Sequence, residues 1–283
     1  MRPRTALFAA ATLLLAAAPA PALADGRLDV RYKASITALS DLKGIEIGKA
    51  ALTVDITDDG YAAAGSAKVT GLARLVSKGE GSVAARGNFV NGKVSPLTYS
   101  SSSETDKKAE EIRITLANNV VTDFAVSPPT NPDKDRIPVT EQHRQAVVDP
   151  MSAAVITVPG NGDMLAHDSC NRTIAIFDGR QRYDLVFTYD STETAKDVKG
   201  YSGPMLVCRV DYRPIAGHRP SRLQVKFMED NKRIFVWLAP VAGTRVLFPI
   251  KVSIVTLVGV VLVEAETFAV EPREKQAASP AAR

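Results

Sequence analysis

From residue 28 onward, apolar and polar side chains alternate with a period of two. Leu28, Val30 and Tyr32 are separated by Asp29, Arg31 and Lys33, the pattern of a strand with one face in a core and the other in water. Ile45 and Ile47 repeat it, and Leu52, Val54 and Ile56 repeat it again in the opposite phase. Gly48 lies between the two sets, so a bulge or sharp bend is expected there. Asp58-Asp59-Gly60 marks a turn, and residues 88–92 mark another ahead of 97–100. Residues 112–116, Asn118-Asn119 and 120–126 read as a hairpin, and so do 173–177, Asp178-Gly179 and 183–189. Alternation continues over 205–212, 223–227 and 234–238, with Asp230-Asn231 as a turn.

Two stretches depart from this rhythm. Pro128, Pro129, Pro132 and Pro138 make residues 127–138 a stiff, exposed connection. Residues 141–148 suit a helical turn or two. Asp149-Pro150 then supplies a capping carboxylate and a first-turn proline, so 151–155 is predicted as the one short helix. The other departure is 252–263, which is apolar at nearly every position. These twelve residues fall short of the ~20 that a membrane helix needs. They are read as two strands buried on both faces and turning near Gly259.

So many strands must curl or close to hide their edges. The expected fold is mostly β: a curled antiparallel sheet, or a partly open barrel or half-barrel, with one short helix packed against an opening. Residues 25–270 form a single domain in this reading, and the charged, Ala- and Pro-rich stretch 271–283 is a disordered tail.

The first 24 residues have a different character. Arg2 and Arg4 precede an uncharged Ala- and Leu-rich run, two prolines, and Ala22-Leu23-Ala24. That order of charge, apolar core and small residues is a secretory signal cleaved near Ala24, which implies an exported protein with no transmembrane span once matured. The formal net charge is +4, and Arg2 and Arg4 supply two of those charges. Basic residues elsewhere are scattered among acids, which argues against a nucleic-acid partner. Only Cys170 and Cys208 can form a disulfide. In an exported chain they are expected to do so, closing a loop of roughly 40 residues that contributes on the order of 3–4 kcal/mol in the chain-entropy model.

Reactive constellations are sparse. There is no G-x-S-x-G elbow, no phosphate loop and no dinucleotide fingerprint, so neither a cofactor nor a catalytic residue is assigned. Ser152, Asp149 and a distant histidine could be assembled into a triad, but a small polar residue on a helix is ordinary. His143, His167 and His218 are far apart in sequence, and His167-Asp168 alone is a poor metal ligand set, so no metal site is assigned. Glu264 and Glu266 share a strand face, as solvated charges commonly do. The strongest functional signal is apolar. Ile234, Val236 and Leu238 alternate with Phe235, Trp237 and Ala239, so both faces of this strand are apolar. One face packs in the core. The other must meet a helix, another layer or a ligand cavity, with Phe235, Trp237, Val252, Ile254 and Leu257 as the candidate lining.

Several stretches together are similar to a known family. They are Asp149-Pro150-Met151-Ser152-Ala153, then Phe177-Asp178-Gly179-Arg180-Gln181-Arg182-Tyr183-Asp184-Leu185, then Val236-Trp237-Leu238 and Leu247-Phe248-Pro249-Ile250. In this order they resemble a bacterial family of exported proteins catalogued as a domain of unknown function, number three-one-zero-eight. The resemblance covers most of residues 27–270 and extends to Tyr32 and the Gly48 segment. It implies a secreted or periplasmic β-rich domain without an accepted enzyme activity, and a fold similar to the curled half-barrels of envelope lipoprotein carriers. It carries over no catalytic residues, and the cysteine pair is not a family-wide feature.

The functional expectation is a non-enzymatic periplasmic protein of the cell envelope that holds an apolar ligand or lipid in its curled sheet. Its rivals are a module that binds another envelope protein or peptidoglycan through 128–138 and the tail, and an unrecognised hydrolase using Asp149, Ser152 or His167.

Overall fold

The computed structural model of the chain describes residues 26–37, 44–75 and 78–272. The expected signal segment, and all of the expected tail after Pro272, lie outside them. Among these residues fourteen strands follow one another: β1 (Gly26–Thr37), β2 (Ile45–Ile56), β3 (Gly60–Val69), β4 (Gly79–Val90), β5 (Lys93–Thr105), β6 (Ala109–Ala117), β7 (Val120–Ser127), β8 (Ile156–Thr157), β9 (Arg172–Phe177), β10 (Arg182–Thr194), β11 (Pro204–Ala216), β12 (Ile234–Pro240), β13 (Val246–Thr256) and β14 (Gly259–Pro272). All but β8 form one antiparallel path, β7-β6-β5-β4-β3-β2-β1-β14-β13-β12-β11-β10-β9. The first and last strands of the fold therefore meet in the middle, and two meanders hang from that seam.

In the first meander, cross-strand register stacks side chains into rows. Leu28, Val54, Ala63, Ala85, Tyr99, Ile114 and Phe124 form one row. Val30, Leu52, Gly65, Val83, Ser101, Ile112 and Val126 form the next, and Tyr32, Ala50, Ala67, Gly81, Ser103 and Glu110 the one beyond. Direct partners in an antiparallel pair share a face, so this face turns from apolar to small and polar toward one end. The bend expected at Gly48 is present: Ala34 pairs with Gly48 and Ser35 with Glu46, which leaves Ile47 as the extra residue of a bulge.

The second meander forks from the first. β14 pairs with β13 only from Gly259 to Glu264, and its remaining residues pair with β1 alone. The vacated edge of β13 is taken by β8. The vacated edge of β14 is taken by Lys199, whose N–H donates to Glu266 O at 3.0 Å and whose carbonyl accepts from Phe268 N–H at 2.8 Å. Tyr32 spans the fork and donates to Pro249 O at 2.5 Å. One core lies inside it, with Leu28, Val54, Tyr61, Phe248, Ile250 and Phe268 buried. A second gathers Cys170, Phe187, Leu206, Leu238 and Leu247 under Met164, Leu165 and Met228.

The edge strands β7 and β9 do not pair, so the sheet is not a closed barrel. Side chains and a connecting segment bridge the gap instead. Val147 N–H donates to Asn119 O, Val148 N–H to Ala175 O, and Phe177 N–H to Val148 O, at 2.9, 2.9 and 3.0 Å. Phe124 and Phe177 meet edge to face at 5.4 Å. The β9–β10 turn reaches over β6 and β7, where Gly179 has a φ of +94°. A Cβ there would stand 2.7 Å from Ile112 Cγ2, so only glycine fits.

Two local readings are corrected. Residues 223–227 are not a strand: α1 (Leu223–Asp230) is the one α-helix among the described residues. Five residues of alternation are too few to override the helix-favouring Leu, Gln, Lys, Met and Glu of this stretch, and Met228 anchors the helix on the second core. Residues 151–155 are not a helix. They hold a 3-10 turn, Ser152–Ala154, which ends as Val155 becomes extended and leads into β8.

Candidate functional site

Asp149 begins the segment that fills the concave side of the first meander. Its Oδ1 accepts the N–H groups of Met151 and Ser152 at 3.0 and 2.9 Å. Its Oδ2 accepts the Ser152 hydroxyl, and Ser152 Oγ in turn accepts the Tyr61 hydroxyl. Asp149 is fully buried, and burial raises its pKa against the opposing pull of these hydrogen bonds. Burial also raises the Tyr61 phenol. The relay fixes the backbone of the turn, so that Met151 packs between the first core and the Ala85–Tyr99–Ile114 cluster.

Above Met151 the face is left unfilled. An open recess of about 310 Å³ is bounded by Met151, Leu52, Val83, Tyr32, Ala50, Gly65, Ala67 and Gly81, with Ser66, Ser82 and Ser102 also on its border. Its size follows from the small side chains of the two outer rows, since methyl groups and hydrogens stand where a core would place Leu or Val. Tyr32, Ala50, Ala67 and Gly81 also border a larger space of about 850 Å³, whose lining adds Lys49, Lys68, Glu80, Glu104 and Glu110. The arrangement joins an apolar recess to a charged entrance, as small-molecule sites often do.

The profile of one protein family, described as "Protein of unknown function (DUF3108)", matches residues 29–266. The chain belongs to this family. The match spans the motifs that carried the resemblance, from the Tyr32 strand to β14. A search of the curated proteins returns no match. Among solved structures, the chain is similar to a β-barrel-like protein of a different domain of unknown function, DUF1849, from Brucella abortus. The two share 10% identity with a TM-score of 0.49, over 88% of this chain and 99% of that one.

In this family member the residues proposed from sequence as an apolar lining do not share one cavity. Trp237 pairs with Lys251 and Phe235 with Ser253, while Val252 and Ile254 pair with Val236 and Ile234 on the opposite face. Ile254 belongs to the margin of the second core, and Trp237 to that of the first, under the Lys251 ammonium at 4.7 Å. Leu257 sits in the β13–β14 turn, 43% exposed. Both faces of this sheet are thus partly occupied by protein, and α1 and the 158–170 stretch form the layer that the sequence called for. Cys170 and Cys208 are bonded, with their Cα atoms 5.6 Å apart.

Ser152 and Asp149 come together, but as a buried structural relay in which Tyr61 is the third partner. His167 stacks on Tyr189 with ring centroids 3.8 Å apart, and the His143 ring nitrogen faces Thr140. Glu264 lies 3.2 Å from Lys251 on β13, and Glu266 lies 4.0 Å from Lys49 on β2. A bulge at Glu266 breaks their common face. Sequence reading passed over the residues that make the cavity, because Ala50, Gly65, Ala67 and Gly81 show no contrast with their neighbours. The available signal was the unbroken run of small residues from Ala62 to Ala67 in β3.

Proposed function

We propose that this protein is a non-enzymatic, periplasmic component of the cell envelope that holds an apolar group, an acyl chain or similar, in the recess above Met151. The observation that carries the reading is the pairing of small side chains on two successive rows with an adaptable methionine floor. Close packing is the rule in protein cores, and an unfilled apolar recess is the exception that ligands exploit. Its volume of about 310 Å³ sits at the lower end of the range for small-molecule sites, and methionine fills irregular gaps without dictating one shape. The secretory character of the first 24 residues supports the location, and the charged entrance suits a ligand with an apolar body and a polar head.

Native mass spectrometry of gently purified protein tests this. The wild type is expected to carry a lipid-sized adduct. The pair Ala50→Leu and Ala67→Leu, which fills the recess, is expected to lose it while keeping the wild-type melting temperature within a few degrees. A clean unliganded mass for the wild type refutes the reading.

A further inference from the structure

The two ends of the sheet differ in surface chemistry. At one end lie the start of β2, the 3-10 turn Gly71–Leu75 after β3, the β5–β6 and β13–β14 turns and the start of β12. Ile45, Leu72, Leu75, Leu257 and Val258 are 53, 66, 84, 43 and 75% exposed there. They are neighbours: Ile36 of β1 pairs with Ile45 on one side and Val261 on the other, and Thr70 N–H donates to Ile47 O. The five therefore ride on the ends of strands β3, β2, β1, β14 and β13, spanning roughly 20 Å at the usual strand spacing.

Charge follows the same division. Among the described residues of these connections, Arg74, Lys78, Lys107, Lys108, Lys232 and Arg233 are basic, and Glu46 and Asp106 are acidic; Lys108 and Lys232 are ion-paired with Glu110 and Asp211 on the neighbouring strands, which leaves a smaller excess of positive charge. The turns at the opposite end carry Asp58, Asp59, Asp163 and Asp197 against Lys196 and Lys199 across 57–60, 91–92, 118–119, 159–163, 195–203 and 242–244. Isolated exposed apolar residues are ordinary. Five on adjacent strand ends, among excess cations, are not.

We propose that this end is a membrane-docking surface, which lays Ile45, Leu72, Leu75, Leu257 and Val258 into the headgroup region of an anionic bilayer. Short apolar tips supply the insertion, and the surrounding cations supply attraction to lipid phosphates within a Debye length. The surface stands independently of what the Met151 recess holds.

Vesicle co-sedimentation of the purified protein provides the test, with phosphatidylcholine alone and with phosphatidylglycerol added. Binding is expected only to the anionic vesicles, and it should fall as salt rises. Leu72→Ser with Leu75→Ser is expected to weaken it by about tenfold or more, and Arg74→Gln by about fivefold. Val90→Ser, at the opposite end, should change nothing. Both leucines are exposed, so an unchanged melting temperature will show that the fold is intact. No binding to anionic vesicles, or binding undiminished in the leucine variant, overturns the proposal. So does a lipid-free dimer in sedimentation velocity that the leucine variant abolishes, which would assign the surface to a second copy of the chain.

Discussion

Asp149 is a carboxylate held away from water by three donors, two backbone N–H groups and the Ser152 hydroxyl. Burial raises its pKa, and burial raises that of Asp178 as well. A carboxyl group whose pKa is higher in the folded state than in the unfolded chain binds its proton more readily when folded. Its contribution is therefore favourable below the ordinary carboxylate range and is lost as pH climbs through the raised value. At neutral pH both groups stand on the unfavourable side of that window. Asp149→Asn keeps an oxygen for the two N–H groups and discards the buried charge. It is expected to match or exceed wild-type stability at neutral pH in urea titrations, with the difference shrinking near pH 4. Asp149→Ala abandons all three donors and is expected to cost about 2–4 kcal/mol at either pH. Equal losses for both substitutions would contradict this account.

The elements that sequence exposes most clearly are the ones with strong contrast or specific turn chemistry. Asn118-Asn119 and Asn91-Gly92 adopt positive φ values of 51, 61, 52 and 69°, the conformation of two-residue hairpin turns. Leu28 to Tyr32 and Leu52 to Ile56 alternate because one face is core and the other is water. β3 and β4 were hidden for the opposite reason: Ala62, Ala63, Ala64 and Gly65 offer no polarity difference between faces. The helix was misplaced because the Asp149-Pro150 cap is real but serves a single 3-10 turn, while α1 mimics a strand over five residues. The candidate lining is divided between faces by register, which sequence does not reveal: Phe235 and Trp237 stand opposite Ser253 and Lys251, while Val252 and Ile254 lie on the other side. The cysteine pair was legible because two cysteines permit one bond. That bond ties the 158–170 stretch, which has little sheet pairing of its own, to β11. Cys170→Ser is expected to remove on the order of 3–4 kcal/mol, which calorimetry should register as a fall of roughly 10 °C for a domain of this size. An unchanged transition would mean that the layer is held by its apolar contacts alone.

The molecule closes without pairing its edges. Strands β7 and β9 are joined through Phe124 and Phe177, the segment around Val147 and the turn at Gly179, rather than through a ladder. Gly179→Ala introduces both a disfavoured backbone conformation and a contact with Ile112, and should cost about 1–3 kcal/mol. Hydrogen exchange should then quicken in β7 and β9 while β1 and β14 keep their protection; uniform acceleration would mean that the closure is not a separate unit. The seam of β1 with β14 has a consequence for how the chain assembles. Gly26 stands opposite Pro272, so its central ladder links positions almost the whole sequence apart. A nascent polypeptide that has not yet released its final strand has no central ladder to form, and each half retains a bare edge. Acquisition of the native state is therefore expected to wait for the last strand, at a rate set by long-range closure entropy.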